Sequence, residues 1–243
     1  MKLHRLLTAV LIALAAITSI RVSNAASVTP YTEEFTTDAA QWTDGVPTGF
    51  ATWVASNGPN GASDSYIAAP AKSTGLAANS SLILFRGNST ASPENHASGD
   101  RFAGSWIDGG INNFSAWVFN GSPFATTYFA RFTGPGGGPG VAATNDTLVQ
   151  PSTWTQIEFL ISPSQINSTI FVEGPPSLYN TVFGNLGRVQ IGVNVSAALA
   201  AAGGGTYTYG IDKISVGVPE PSSLLLGLGA AMYGFAGRRR RTA

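Results

Sequence analysis

Five carboxylates in the 243-residue chain could supply a hydrolytic acid–base pair: Glu94, Asp100, Asp108, Glu158 and Glu173. Cleaving a glycosidic bond uses two such groups about 5–9.5 Å apart, one protonating the leaving oxygen and one attacking or activating water. None of the five sits in a diagnostic motif. His96 is the one histidine between residues 26 and 217, and Pro93-Glu94-Asn95-His96 reads as a polar loop with a solvated imidazole. A single histidine excludes multi-histidine metal centres and leaves a Ser-His-Asp relay only His96 to use. The chain has no cysteine, which excludes disulfides and thiolate metal sites. Neither GxSxG nor HExxH spacing occurs. The run Gly134 to Gly140 places prolines where a phosphate cradle would need amides. The expectation is a protein that is not an enzyme.

Aromatic residues offer a different chemistry. Sugar rings stack their C–H faces on exposed indole or phenol rings, while polar side chains fix the hydroxyls. Trp42, Trp53, Trp106, Trp117 and Trp154 are available. Tryptophan in a packed sheet is usually well buried. Trp117 and Trp154 lie inside or at the start of apolar stretches and read as core. Trp53 and Trp106 are flanked by Gly, Asn and Asp, which makes them the carbohydrate-binding candidates.

Strands must position such side chains. Charged residues are 11% of the chain, with 29 Gly and 14 Pro, a profile of short strands joined by turns rather than long helices. Period-two alternation marks one face of several stretches. Ile157, Phe159 and Ile161 oppose Gln156 and Glu158. Val189, Ile191, Val193 and Val195 oppose Gln190 and Asn194. Tyr128, Ala130 and Phe132 oppose Phe129 and Arg131. Ser81–Arg86 is apolar on both sides, and Phe114–Phe119 and Tyr207–Val216 complete the set. Asn57–Gly61, Gly134–Gly140 and Gly203–Gly205 read as turns. Only Ala197–Ala202 suggests a helical turn. Roughly eight to ten strands predict an all-β fold, a two-sheet antiparallel β-sandwich of jelly-roll-like type.

Both ends read as addresses. Lys2, His4 and Arg5 precede the apolar stretch Leu6–Ile20, and small residues follow, so residues 1–25 read as a signal peptide cut by signal peptidase between Ala25 and Ala26. Residues 26–217 form the working domain. Residues 218–243 hold Pro219-Glu220-Pro221, an apolar stretch from Ser222 to Gly237, and Arg238, Arg239, Arg240 and Arg241. The apolar stretch is near the lower limit, about 17 residues, for a transmembrane helix, and the arginines would hold its end on the cytoplasmic side of the inner membrane. This order of elements resembles the PEP-CTERM sorting signal of Gram-negative bacteria. The resemblance implies processing by an exosortase, delivery to the cell surface or extracellular matrix, and a producer of extracellular polysaccharide.

The body resembles the jelly-roll domains of carbohydrate-binding modules and concanavalin-like lectins. The resemblance lies in an acidic early strand, Tyr31-Thr32-Glu33-Glu34-Phe35, then Trp42, and a late strand Tyr209-Gly210-Ile211-Asp212-Lys213-Ile214. It implies a structural Ca²⁺ held by Glu33 or Glu34 with Asp64, Asp212 and oxygens from the Asn57–Gly61 loop, calcium taking six to eight oxygens. Seven of the 13 basic residues but only Glu220 of the 13 acidic ones lie in the two ends, so the domain has six basic and twelve acidic residues, net −6. Nucleic acid is excluded as a partner, because phosphate contacts need clustered Lys and Arg. The expected function is a non-enzymatic exported surface or matrix protein in contact with polysaccharide. The alternative is a secreted lectin or glycan-active enzyme on the same fold.

Overall fold

The computed structural model describes residues 25–45, 49–72, 76–88, 96–202 and 205–218. Most of the expected signal peptide lies outside these residues, as do Pro219-Glu220-Pro221, the apolar stretch 222–237 and Arg238–Arg241. Among the described residues no helix is long and apolar enough to cross a membrane. The folded body takes up the chain at once after the expected cleavage point: the Ala26 carbonyl accepts from the Ser105 amide, and Val28 is buried.

Twelve strands form two antiparallel sheets. They are β1 (Tyr31–Glu33), β2 (Thr43–Asp44), β3 (Thr52–Val54), β4 (Tyr66–Lys72), β5 (Ser81–Asn88), β6 (Asn113–Phe119), β7 (Tyr128–Thr133), β8 (Gly140–Thr144), β9 (Trp154–Leu160), β10 (Ile170–Val172), β11 (Arg188–Asn194) and β12 (Thr206–Gly217). The first sheet runs β3-β4-β12-β6-β9, with β1 also paired to β12. The second runs β10-β8-β7-β11-β5-β2. From β4 onward the chain repeatedly passes from one sheet to the other, the connectivity of a jelly-roll-like β-sandwich.

The alternation seen in the sequence sets the inner faces. Ile157, Phe159, Val189, Ile191, Val193, Tyr128, Ala130 and Phe132 are all buried. β5 is apolar on both sides because it carries a bulge. The register with β11 shifts between Ile191 and Gly192, so Leu84 and Phe85 are both buried although they are consecutive. β12 carries a second irregularity between Asp212 and Ser215, and Lys213 takes a φ of 48° within it.

Among the described residues the strands outnumber the eight to ten expected, and there are two short α-helices, α1 (Leu178–Gly184) and α2 (Ala197–Ala201). The helical turn at Ala197 forms as expected, with the Ser196 hydroxyl capping the Leu199 amide. α1 was not foreseen. Pro175-Pro176 opens it, and Tyr179, Val182 and Phe183, at helical spacing, turn into the core.

Candidate functional site

Two tryptophans reach the outside of the first sheet. In β6 the residues Phe114, Ala116 and Val118 point inward, so Trp117 and Phe119 point outward and are half-buried. Phe119 pairs in register with Trp154 of β9, and Trp117 with Gln156. Tyr66 of β4 closes the group, its ring centroid 5.1 Å from that of Trp154, with Phe119 at 5.5 Å on the other side. Gly210 of β12 makes room for it. A Cβ there would lie 3.0 Å from both Trp154 Cη2 and Tyr66 Cε2, so any side chain would drive the rings apart. Trp154 Nε1 donates to the Asn57 carbonyl at 3.1 Å, which fixes the indole from the β3–β4 loop. Beside the rings, Gln156 and Glu158 are exposed, and Ser115 and Ser215 pair across the strands. Flat rings flanked by exposed amide and carboxylate groups can stack on a sugar ring and bond its hydroxyls.

Asp212 belongs to this face. It pairs in register with Trp117, is 0% exposed, and neither carboxylate oxygen has a hydrogen-bond partner. Burial pushes its carboxyl up to about 7, and the charges of Asp64 and Glu34 add to the shift. The Lys213 amide and ammonium oppose it without completing a hydrogen bond.

The calcium site expected at Glu33, Glu34, Asp64 and Asp212 is not assembled. Among the described residues no three acidic or histidine side chains group so as to hold a metal ion. Each expected ligand is occupied or buried instead. Glu33 accepts from the Tyr31 hydroxyl and the Phe35 amide. Glu34 lies 3.7 Å from Lys213 Nζ. Asp64 Oδ2 accepts from the Asn60 amide at 2.7 Å. The Asn57–Gly61 loop, expected to offer oxygens to the cation, offers one to Trp154.

The tryptophans are distributed in nearly the reverse of the expected way. Trp106 is 0% exposed. Its indole packs against Phe114, Phe132 and Phe183, and Nε1 donates to the Phe102 carbonyl at 2.8 Å. Its glycine and aspartate neighbours form a turn that folds the ring inward, so it cannot serve as a platform. Trp53 is 37% exposed, but its position opposite Ile67 sets it on the inner side of edge strand β3, where Nε1 donates to the Phe35 carbonyl. Trp117 and Trp154, expected in the core, stand half-buried on the outward face. The available signal was phase: Trp117 alternates with three small or apolar inward residues.

Of the five carboxylates singled out for an acid–base pair, Glu158, Glu173 and Asp100 lie apart from one another. Glu158 is on the outside of the first sheet. Glu173 follows β10 at the second sheet and binds Arg131 through both oxygens. Asp100 contacts the His96 imidazole at 2.7 Å, and Glu94 lies outside the described residues.

Residues 217–241 match the PEP-CTERM protein-sorting motif, so the chain carries the signal of exported, exosortase-processed proteins. No curated protein matches the chain in sequence. Among solved structures, the fold is similar to the family 11 carbohydrate-binding module of the cellulosomal cellulase Lic26A-Cel5E of Clostridium thermocellum. That comparison has 11% identity, covers 79% of this chain and 96% of that one, and has a TM-score of 0.42. The fold is also similar to the K1 cleaved adhesin domain of Lys-gingipain from Porphyromonas gingivalis, with 12% identity, 79% and 99% coverage and a TM-score of 0.39. At these identities the likeness is one of fold.

Proposed function

We infer that this protein, exported and handed to an exosortase through its PEP-CTERM motif, works as a non-catalytic component of the cell surface or extracellular matrix. There it holds neutral polysaccharide against the outer face of the first sheet. One observation carries the reading: Trp117 and Trp154 stand in neighbouring cross-strand rows of an outward face, with exposed Gln156 and Glu158 beside them. Stacking supplies affinity without demanding one sugar identity, and the polar groups select among hydroxyl patterns. Of the two carboxylates on this face, Glu158 is exposed and Asp212 is 0% exposed, which supports a binding role over a hydrolytic one, since glycoside cleavage needs two carboxylates on one substrate.

The test is titration of the full-length protein with a soluble neutral β-glucan. Trp117→Ala and Trp154→Ala are each expected to weaken binding about tenfold, the size of one lost aromatic contact, measured at a temperature where unfolding curves show both variants still folded. Parent-like affinity in both variants would end the reading. A second reading has its own support in Asp212, whose carboxyl is raised to about 7 beside Trp117, the kind of shift found in catalytic acids. New reducing ends appearing with time, and ceasing in Asp212→Asn, would replace binding by hydrolysis.

A further inference from the structure

The outer face of the second sheet is built differently. Within residues 26–217 there are six basic residues, and three of them meet here. Arg86 of β5 and Arg131 of β7 both pair in register with Gln190 of β11, so the three side chains form one cross-strand row. Arg188, two residues from Gln190 on the same face, pairs with Asn88 and Thr133 in the next row. Diagonal neighbours in adjacent strands lie about 7–8 Å apart, which brings Arg86 and Arg188 within reach of a single ligand group. Burial, then the charges of Arg86 and Arg131, hold the Arg188 guanidinium below its ordinary value.

The three arginines are not equivalent. Arg131 is saturated: Nε and Nη2 donate to Glu173, Nη1 to Gln190 Oε1, and Nη2 also to the Gly138 carbonyl. Arg86 and Arg188 have no acidic partner among the described residues, and the Nε of each is buried without a hydrogen bond. Arg188 also stands between Asn88 Oδ1 and Thr133 Oγ1, two buried oxygens without partners, on residues 8% and 0% exposed. A cavity of about 10 Å³ beside Arg188, Asn88 and Asp100 has room for one water. Asp100 lines that cavity too, with Oδ1 buried and without a partner, but among the described residues no carboxylate forms an ion pair with Arg86 or Arg188. Two adjacent cations over a polar floor, neither of them ion-paired, form an arrangement that a ligand anion completes.

The same row extends to an aromatic ring. Arg131 pairs with Ala142 of β8, and Ala142 with Phe171 of β10, which is 49% exposed. From Phe171 to Arg86 the row crosses four strand spacings, about 19 Å. A flat face with cations at one end and a ring at the other suits an extended chain rather than a small metabolite. We propose that this face binds an acidic polysaccharide, with a uronate carboxylate bridging Arg86 and Arg188 and a later sugar stacked on Phe171. Planar guanidinium groups match a carboxylate in a bidentate way.

This site does not depend on the aromatic face of the first sheet, and the two can fail separately. Full-length protein is titrated with oligogalacturonate and with its methyl ester, which keeps the sugar backbone and removes the charge. Tighter binding of the free acid is expected, falling about tenfold in Arg86→Gln and in Arg188→Gln and weakening with salt, while neutral β-glucan binding in these variants stays at the parent's level. Phe171→Ala should weaken both acid and ester. Equal binding of acid and ester, parent-like affinity in both arginine variants, or binding of single-stranded DNA in place of the oligogalacturonate would each overturn the proposal. Thermal melts of the variants separate lost contact from lost fold.

Discussion

The two outward faces of the sandwich are made by the same alternation, yet they are chemically opposite. On the first sheet the outward residues of β6 and β9 include three rings, Trp117, Phe119 and Trp154, set over a glycine and bordered by a buried carboxyl. On the second, the outward residues of β5, β7 and β11 include three guanidinium groups and the Gln190 and Asn88 amides, with the exposed Phe171 ring at the far edge. Inward, the two sheets are interchangeable, both lined by Phe, Ile, Val and Ala. What a sheet does is therefore written on its solvent side. A sandwich has two such sides, so one small domain can present two different chemistries to its surroundings.

The comparison can be broken most strongly from beneath. Trp106 packs against Phe114 of the first sheet and Phe132 of the second, so Trp106→Ala is expected to cost about 3–5 kcal/mol and to abolish binding at both faces, read from denaturant unfolding and the two titrations. Loss at one face alone would show that Trp106 is not their common floor. Asp212 should separate the faces by pH. Its carboxyl is raised to about 7 in the folded protein and lies near 3.9 in an unfolded chain, so the folded state holds the extra proton between those values. The stability this proton contributes is complete at low pH and declines as pH rises through about 7, by at most about 1.4 kcal/mol per pH unit. The melting temperature of the parent should fall between pH 5 and pH 8, and that of Asp212→Asn should fall less. A parent curve identical to the variant's would contradict the burial of this group. Smallest is Gly210→Ala, which forces Trp154 and Tyr66 aside. About 1–3 kcal/mol of destabilisation and weaker glucan binding are expected, with oligogalacturonate binding unaltered. If both ligands weaken together, the faces are not independent.

Strand identity was readable wherever one face is wet. Ile157, Phe159 and Ile161 declare β9 by their spacing, and the four alternating residues from Val189 declare β11. The sorting motif was readable because its three parts occur in a fixed order. The side on which each tryptophan falls was harder to read. Composition suggested that Trp106, among Gly and Asp, would be wet and that Trp117, among Phe, Ala and Val, would be dry. Burial follows the pleat rather than the neighbours, and phase would have placed Trp117 outside. The arrangement of Glu33, Glu34, Asp64 and Asp212 was hard to read for another reason: how near the acids come depends on the irregularity at Asp212–Ser215 and on the local partners of Glu33 and Glu34, none of which has a sequence signature. The arginine face was invisible because its members are 45 and 57 residues apart in the chain and only register unites them.

β12 lies in the middle of its sheet, with β4 and β1 along one edge and β6 along the other, although it is the last of the twelve strands in the chain. Ribosome and translocon deliver the domain from the other end. Until residues 206–217 emerge, three earlier strands wait with open edges, and the first sheet cannot close. The sorting motif begins at residue 217, where that strand stops. Completion of the fold and arrival of the tag are thus nearly the same moment of synthesis, which limits how long an unfinished domain is displayed to the sorting machinery.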